Sequence, residues 1–244
     1  MIEIMKGAEP KNHEGNSVGL LVLHGFTGTP QSVRPLAETL ANKGYTVSMP
    51  LLAGHGRTPE EMEKSNYKEW VQSCTDGLNW LKERTEKQFV FGFSMGGTLA
   101  LYLAEKQDVD GLILLNAGYS RLEMFHTFED LQSRGIAFAE GIGSDIKKPD
   151  VKEVAYSKAP VRSGFEFRKL VDQVQTDISK VSVPIQIFST IHDQVVDFRS
   201  GTDIFAAVSS QEKYFYTLTH SGHVALLDYD ADTIERITEA FIGR

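Results

Sequence analysis

The sequence predicts an α/β fold with a mainly parallel central sheet flanked by helices, and three observations carry that expectation. Strand and helix patterns alternate along the 244 residues, as βαβ units require. Most strand candidates are unbroken runs of Val, Ile, Leu and Phe rather than alternating ones, which is how strands covered on both faces read. One of them, within "FVFGFSMGGTLALYLA" at residues 89–104, ends abruptly in a Gly-flanked serine and passes straight into an apolar run with helical spacing.

Taken in order, Val18 to His24 is the first strand and "HGFTG", residues 24–28, the loop that leaves it. Tyr45 to Met49 is the second strand. Tyr67 to Arg84 carries Trp70, Cys74, Leu78 and Leu81 at helical spacing, so Cys74 is expected on a core face rather than as a nucleophile. Gln88 to Gly92 and Gly111 to Asn116 are strands on either side of the helix that follows Ser94. Between Asn116 and Ile185 lie 68 residues, where an ordinary crossover uses a few tens at most. This stretch first carries Phe125, Phe128, Leu131, Ile136, Phe138 and Ile142, broken by Gly135, Gly141 and Gly143. A helical run with Phe167, Leu170, Val171, Val174 and Ile178 then returns to the sheet. The expected organisation is therefore a single domain: a core of residues 1–117 and 180–244, with a small cap insertion and its return helix at 118–179. Ile185 to Thr190 and Lys213 to Leu218 complete the sheet, and Asp230 to Ile242 forms the last helix, with Ile234, Ile237 and Phe241 on one face.

Composition removes several function classes. A net charge of −8 and a pI near 5.4 offer no general attraction to nucleic acid or to anionic membrane surfaces. No apolar run approaches the roughly 20 residues that span a bilayer, so no stable membrane insertion is expected. One cysteine precludes an internal disulfide, and "MIEIMKGAEPKNHEG" carries neither an apolar leader core nor a small-residue cleavage pattern. A cytoplasmic protein is the expectation. No H-E-x-x-H, C-x-x-C or G-x-x-x-x-G-K-[ST] pattern occurs, so neither metal nor nucleotide cofactor is implied.

The serine junction supplies the chemistry. Gly92-Phe93-Ser94-Met95-Gly96 is G-x-S-x-G at a strand-to-helix turn so sharp that its flanks tolerate only small residues, which pushes Ser94 out above the sheet. A serine hydroxyl needs a base, and the base needs an orienting acid. Serine hydrolases on such sheets run nucleophile, acid, base along the chain. "SGHV", residues 221–224, makes His223 the better base because Gly222 lets the backbone turn the ring inward; His220 lies nearer the strand. "TIHDQVVD" follows the strand that ends at Thr190 and places Asp193 in the acid position, while Asp197 suits the cap of the next helix. Two backbone N–H groups must hold the developing oxyanion; Met95 follows the nucleophile, and Phe26 of "HGFTG" is the best second donor. His24 and His55 read as hydrogen-bonded loop residues rather than catalysts or ligands.

With "GFTGTPQSVRPLAE", "GHG", "GFSMGGTLALYLAE", "IGSDIKKPDVKEVAY" and "HVALLDYD", the chain resembles the small bacterial monoacylglycerol lipases and related carboxylesterases of the α/β-hydrolase fold along nearly its whole length. The resemblance implies the same five catalytic positions: Ser94, Asp193, His223, Phe26 and Met95. It further implies that Ile142 lies on the acyl tunnel and that Glu153 helps bind glycerol hydroxyls. The implied activity is hydrolysis of a monoacylglycerol or similar small lipid ester through an acyl-serine intermediate. A short-chain carboxylesterase or thioesterase is the alternative within enzymes, alongside C–C bond hydrolases and perhydrolases, and a small-molecule receptor on the same fold is the alternative outside them. Activity is expected to rise with pH as His223 becomes neutral near its reference pKa of about 6.5.

Overall fold

The computed structural model describes residues 3–244. The chain begins with β1 (Lys11–His13) and β2 (Val18–Leu23), then α1 (Arg34–Asn42) and β3 (Thr46–Met49). Helices α2 (Pro59–Lys64) and α3 (Tyr67–Lys82) lead to β4 (Lys87–Phe93), α4 (Met95–Lys106) and β5 (Gly111–Leu115). Next come α5 (Met124–Ser133), β6 (Phe138–Glu140), β7 (Lys158–Pro160) and α6 (Val161–Asp177). The last part holds β8 (Ile185–Thr190), α7 (Arg199–Ala207), β9 (Lys213–Leu218) and α8 (Ala231–Ile242).

Seven strands form one sheet in the order β1-β3-β2-β4-β5-β8-β9, parallel throughout except for β1, which pairs antiparallel with β3 at the edge. The six strands read from the sequence are all present, with ends shifted by a residue or so. β1 escapes that reading because Lys11-Asn12-His13 is polar and mostly exposed, so it carries no apolar signal. α2 escapes it too: only Met62 is buried, and the turn is held by Thr58 accepting from the Glu61 N–H and by Pro59 at its first position. α3 stands on a capping box, in which Asn66 accepts from the N–H groups of Lys68 and Glu69 and Glu69 reaches back to the Asn66 N–H.

Both faces of the sheet are apolar, which explains the missing alternation in the strands. Leu21, Leu23, Val90, Leu112, Leu114, Ile185 and Ile187 face a core closed by Trp70 and Leu78 of α3, Leu99 and Leu103 of α4, Phe167 and Leu170 of α6 and Ile204 of α7. Leu20, Val22, Phe89, Phe91, Ile113, Leu115 and Phe188 face the opposite core, closed by Leu36 and Leu40 of α1 and Ile234 and Phe241 of α8. Each such side chain contributes about 1.5–3 kcal/mol relative to exposure. Cys74 is fully buried in the first core, and burial pushes its thiol pKa up, as its position on the α3 core face leads one to expect.

Between β5 and β8 the chain leaves the sheet at Asn116 and rises above its C-terminal edge. β6 and β7 pair as a short antiparallel ribbon. α5 lies on α6 so closely that a Cβ at Gly164 would stand 2.2 Å from the Phe128 ring. α6 in turn buries Phe167, Leu170, Val171 and Val174 in the same core as α3 and α4.

Candidate active site

All parallel strands end at one edge, and the loops leaving β2, β4, β5, β8 and β9 gather there, where open α/β sheets bind ligands. Ser94 sits at the turn from β4 to α4 with φ 55° and ψ −120°, a conformation a non-glycine residue holds only when its surroundings enforce it. They do. The Ser94 N–H donates to the Leu115 carbonyl at 3.0 Å, and its own carbonyl accepts from Gly97 at 2.9 Å and Gly118 at 3.2 Å. The two flanking glycines are obligatory, since a Cβ on Gly92 would lie 2.3 Å from the Gly96 carbonyl oxygen and one on Gly96 would lie 2.4 Å from that of Leu23.

Asp193 and His223 meet across the ends of β8 and β9. Asp193 Oδ2 lies 2.7 Å from His223 Nδ1, while its Oδ1 accepts the N–H groups of Val195 and Val196 at 2.8 Å each. The pair is withdrawn from water, with side-chain exposures of 1% for Asp193 and 7% for His223. Burial opposes charge on the ring, yet Asp193, Glu153 and Asp145 together outweigh it, so the His223 pKa is raised above 6.5. The ring is therefore expected to lose its proton above the reference value of 6.5 rather than at it. His220 points elsewhere: it is exposed. Asp197 accepts from the Arg199 N–H at the start of α7 and pairs with the Arg199 guanidinium, which brings its pKa down to about 2.

The loop after β2 lies against the serine, for a Cβ on Gly25 would stand 3.1 Å from that of Ser94. The N–H groups of Phe26 and Met95 have no acceptor among the described residues. The Phe26 ring is wedged in an aromatic cluster, stacked on Phe167 at 5.6 Å and edge-on to Trp70 and Phe128 at 6.4 and 6.1 Å. Such a clamp fixes the backbone that carries the N–H. His24 serves the same loop: its Nδ1 is 3.0 Å from the Gly25 carbonyl and its Nε2 accepts the Leu52 N–H at 3.2 Å. That pairing requires the neutral tautomer protonated at Nδ1, and burial holds the His24 pKa well below 6.5. His55, 5.1 Å from His24 ring to ring, is likewise depressed by burial, to about 4.

Ser94, His223, Phe26, Met124, Ile142 and Glu153 enclose a small chamber of about 20 Å³, room for little more than one water. Beyond it lies an open groove of about 540 Å³, which shares Met124, Ile142, Gly143 and Val195 with the chamber. Ile142 thus stands between the two. Glu153 is held from both sides: its N–H donates to Ser144 Oγ at 3.0 Å, and the next residue, Val154, exchanges hydrogen bonds with Thr29 and Gln31. Its carboxylate tucks under Gly28, where a Cβ would stand 2.7 Å from Oε1. Burial raises its pKa to about 7, against the opposing pull of the His223 charge and a hydrogen bond from Ser32.

Three further polar residues stand at the site. Asn116, with φ 46° at the end of β5, donates from Nδ2 to the His223 carbonyl at 2.8 Å and accepts the Thr190 N–H at 2.9 Å. Asp145 accepts the N–H of His223 and that of Gln194, each at 2.9 Å. Asp228, fully buried, accepts the N–H groups of Lys147, Lys148 and Gly222. In the sequence, the run "SDIKKP" at residues 144–149 is the one hint of Asp145, and nothing marks Asn116. Gly222 does not adopt a positive φ; it is needed for contact rather than turning, since a Cβ there would stand 2.5 Å from the Asp145 carbonyl oxygen. No group of three or more His, Cys, Asp or Glu among the described residues could hold a metal ion, and no helix there is long and apolar enough to cross a membrane.

Residues 19–145 match the family described as alpha/beta hydrolase fold. The chain is 43% identical over 242 residues to the thermostable monoacylglycerol lipase of Bacillus sp. (strain H-257), covering 98% of this chain and 96% of that one. It is 27% identical over 250 residues to a carboxylesterase of Bacillus subtilis (strain 168), covering 98% and 99%. Among solved structures, one from a study of the metagenome-derived lipolytic enzymes LipS and LipT superposes with a TM-score of 0.94 at 37% identity, covering 99% of both chains.

Proposed function

The chain belongs to the α/β-hydrolase family, and from that premise we propose that it is a serine carboxylic-ester hydrolase acting on monoacylglycerols or similar small lipid esters. The observation that carries the reading is the chamber where Ser94, a His223 already paired to Asp193, and the Phe26 loop converge. His223 takes the Ser94 proton as Ser94 attacks the ester carbonyl. The N–H groups of Phe26 and Met95 hold the oxyanion in a site shielded from water, where such donors are strongest. The alcohol leaves with the proton from His223, and water then releases the fatty acid by the same route in reverse. Asp193 keeps the imidazole in the productive tautomer throughout.

Ile142, between chamber and outer groove, is the residue we assign to the acyl chain. Glu153, whose carboxyl titrates at about 7 beside His223, is assigned to the glycerol hydroxyls, which it can meet as donor or acceptor. The monoacylglycerol lipase at 43% identity favours a glycerol ester, and the carboxylesterase at 27% keeps the short simple ester as the second reading. One rate comparison separates them: a medium-chain monoacylglycerol, the matching di- and triacylglycerols, a short p-nitrophenyl ester and an acyl thioester, each with Ser94→Ala as control. Preference for the monoacylglycerol supports the lipase reading. Turnover of the short ester alone makes the protein a carboxylesterase, and no reaction of Ser94 with a fluorophosphonate makes it a receptor.

A further inference from the structure

The acid and the base of the site stand on separate loops, after β8 and β9, and one side chain from neither loop joins them. Asp145 Oδ2 accepts the backbone N–H of His223 and the backbone N–H of Gln194, the residue following Asp193, at 2.9 Å each. Its carbonyl also accepts the Val224 N–H at 3.2 Å. Asp228 answers from the other side, with carboxylate oxygens 2.7 and 3.1 Å from the N–H groups of Lys147 and Lys148 and 2.9 Å from that of Gly222. The result is a reciprocal clasp in which each chain segment grips the backbone of the other. It closes only because residue 222 is glycine, whose missing Cβ would otherwise meet both the Asp145 carbonyl oxygen and its Oδ1, at 2.5 and 2.6 Å.

We propose that Asp145 is a positioning residue for ester hydrolysis, holding the Asp193 and His223 loops in register and joining them to the cap segment that carries Ile142. This rests on the reading of Ser94, Asp193 and His223 as the reacting triad. Two hydrogen bonds from separate loops to one half-buried carboxylate oxygen fix their separation, and hence the Asp193–His223 contact at 2.7 Å. Ile142 is three residues away along the chain and lines the chamber, so an acyl chain that seats against it bears on the same segment that holds the base. Acyl-chain preference is therefore expected in kcat as well as in KM. The groups that face the His223 ring with charge are Asp193 from its own pairing, Glu153 and Asp145, while the Phe93 ring at 4.8 Å carries none.

The test compares Asp145→Ala, Asp145→Asn and Asp228→Asn with the wild type, reading kcat, KM and the pH profile of kcat/KM on a short p-nitrophenyl ester, with fluorophosphonate labelling to count reactive Ser94. Asp145→Ala removes the oxygen that accepts both hydrogen bonds and is expected to lower kcat about tenfold or more with KM little changed. Asp145→Asn keeps an acceptor oxygen but no charge, so kcat stays within a few-fold and the acidic limb of the profile moves to lower pH. Asp228→Asn loosens the same clasp without facing His223, so melting temperature falls and the limb stays in place. A merely structural Asp145 would lower melting temperature in all three and move no limb. Unchanged kcat in a folded Asp145→Ala overturns the proposal, as does a limb that moves equally in Asp145→Asn and Asp228→Asn. If Asp145→Ala does not fold, Asp145→Asn decides: a displaced limb supports the assignment and an unmoved one overturns it. A wild type that labels at no serine and cleaves no ester removes the triad reading and this inference together; an active wild type with unaltered variants removes this inference alone.

Discussion

Two histidines stand at C-terminal strand ends of the same sheet, both fully or nearly buried, and their environments drive them in opposite directions. His24, after β2, has a carbonyl on one ring nitrogen and an N–H on the other, with another histidine 5.1 Å away; its pKa falls. His223, after β9, meets the same burial penalty, but a carboxylate on Nδ1 and two more nearby carry its pKa above the ordinary value. Burial alone makes a histidine a neutral spacer. Burial beside carboxylates makes it a base that can hold a proton through a reaction. Each of the predictions below works on that contrast.

The largest effect is expected where the base loses its reaction partner. Ser94→Ala should cut kcat by about 10⁶-fold while leaving melting temperature close to wild type; retention of most of the rate would remove Ser94 from the mechanism. Asp193→Asn tests the contrast itself, since it turns His223 into a histidine more like His24, with no carboxylate on Nδ1. The expected loss is about 10⁴-fold in kcat, and the acidic limb of any remaining activity should move below that of the wild type. For the wild type, His223 must be neutral to accept the proton, so kcat/KM should rise with a midpoint above pH 6.5 rather than at it.

The β2-loop histidines should behave as spacers with an acid liability. Their folded pKa values lie below the unfolded 6.5, so the stability they contribute is present above pH 6.5 and lost as pH falls toward about 4, the value for His55. His24→Ala strands the buried Leu52 N–H and should cost about 2 kcal/mol, or some 4–8 °C in melting temperature, with kcat changed less than tenfold. His55→Gln should flatten the acid side of the melting-temperature profile. A thousandfold loss of kcat in a well-folded His24→Ala would give that histidine a part in the chemistry.

How legible all this was in the sequence follows the same division. The sheet, its two-sided cover and the sharp turn at Ser94 could be read because close packing leaves a signature along a short stretch: unbroken apolar strands, and glycines at 92 and 96 where a Cβ would collide with backbone. Asp193 and His223 could be placed because each lies within a few residues of a strand end. The clasp could not. Asp145 is 78 residues from the His223 it holds and accepts backbone N–H groups, which any sequence presents. β1 and α2 were hidden for a related reason, being held by edge pairing and a cap rather than by an apolar face. Glu153 was visible only through family likeness, because a charged residue beside Lys152 looks like solvent-facing helix until the fold carries it under Gly28.

The smallest predicted effect extends the contrast to carboxylates. Glu105, on α4, is buried with neither carboxylate oxygen hydrogen-bonded among the described residues, so nothing does for it what Asp193 does for His223. Burial raises its pKa to about 8; nearby Lys106 and Lys180 pull the other way, but Asp177, which pairs with both, offsets them. Its unfolded value is 4.5, so the folded chain binds the extra proton. The stability tied to that proton is fully present below pH 4.5 and drains away as pH rises through about 8. Glu105→Gln removes the titration and keeps the shape. It should match the wild type near pH 4 and exceed it by a margin that grows up to about pH 8, reaching about 1 kcal/mol once solvent screening is allowed for. Melting temperatures of the two proteins from pH 4 to 8 decide it: a gap that widens with pH shows an unpaired carboxyl kept neutral by burial, and a constant gap shows that Glu105 has found a partner in solution.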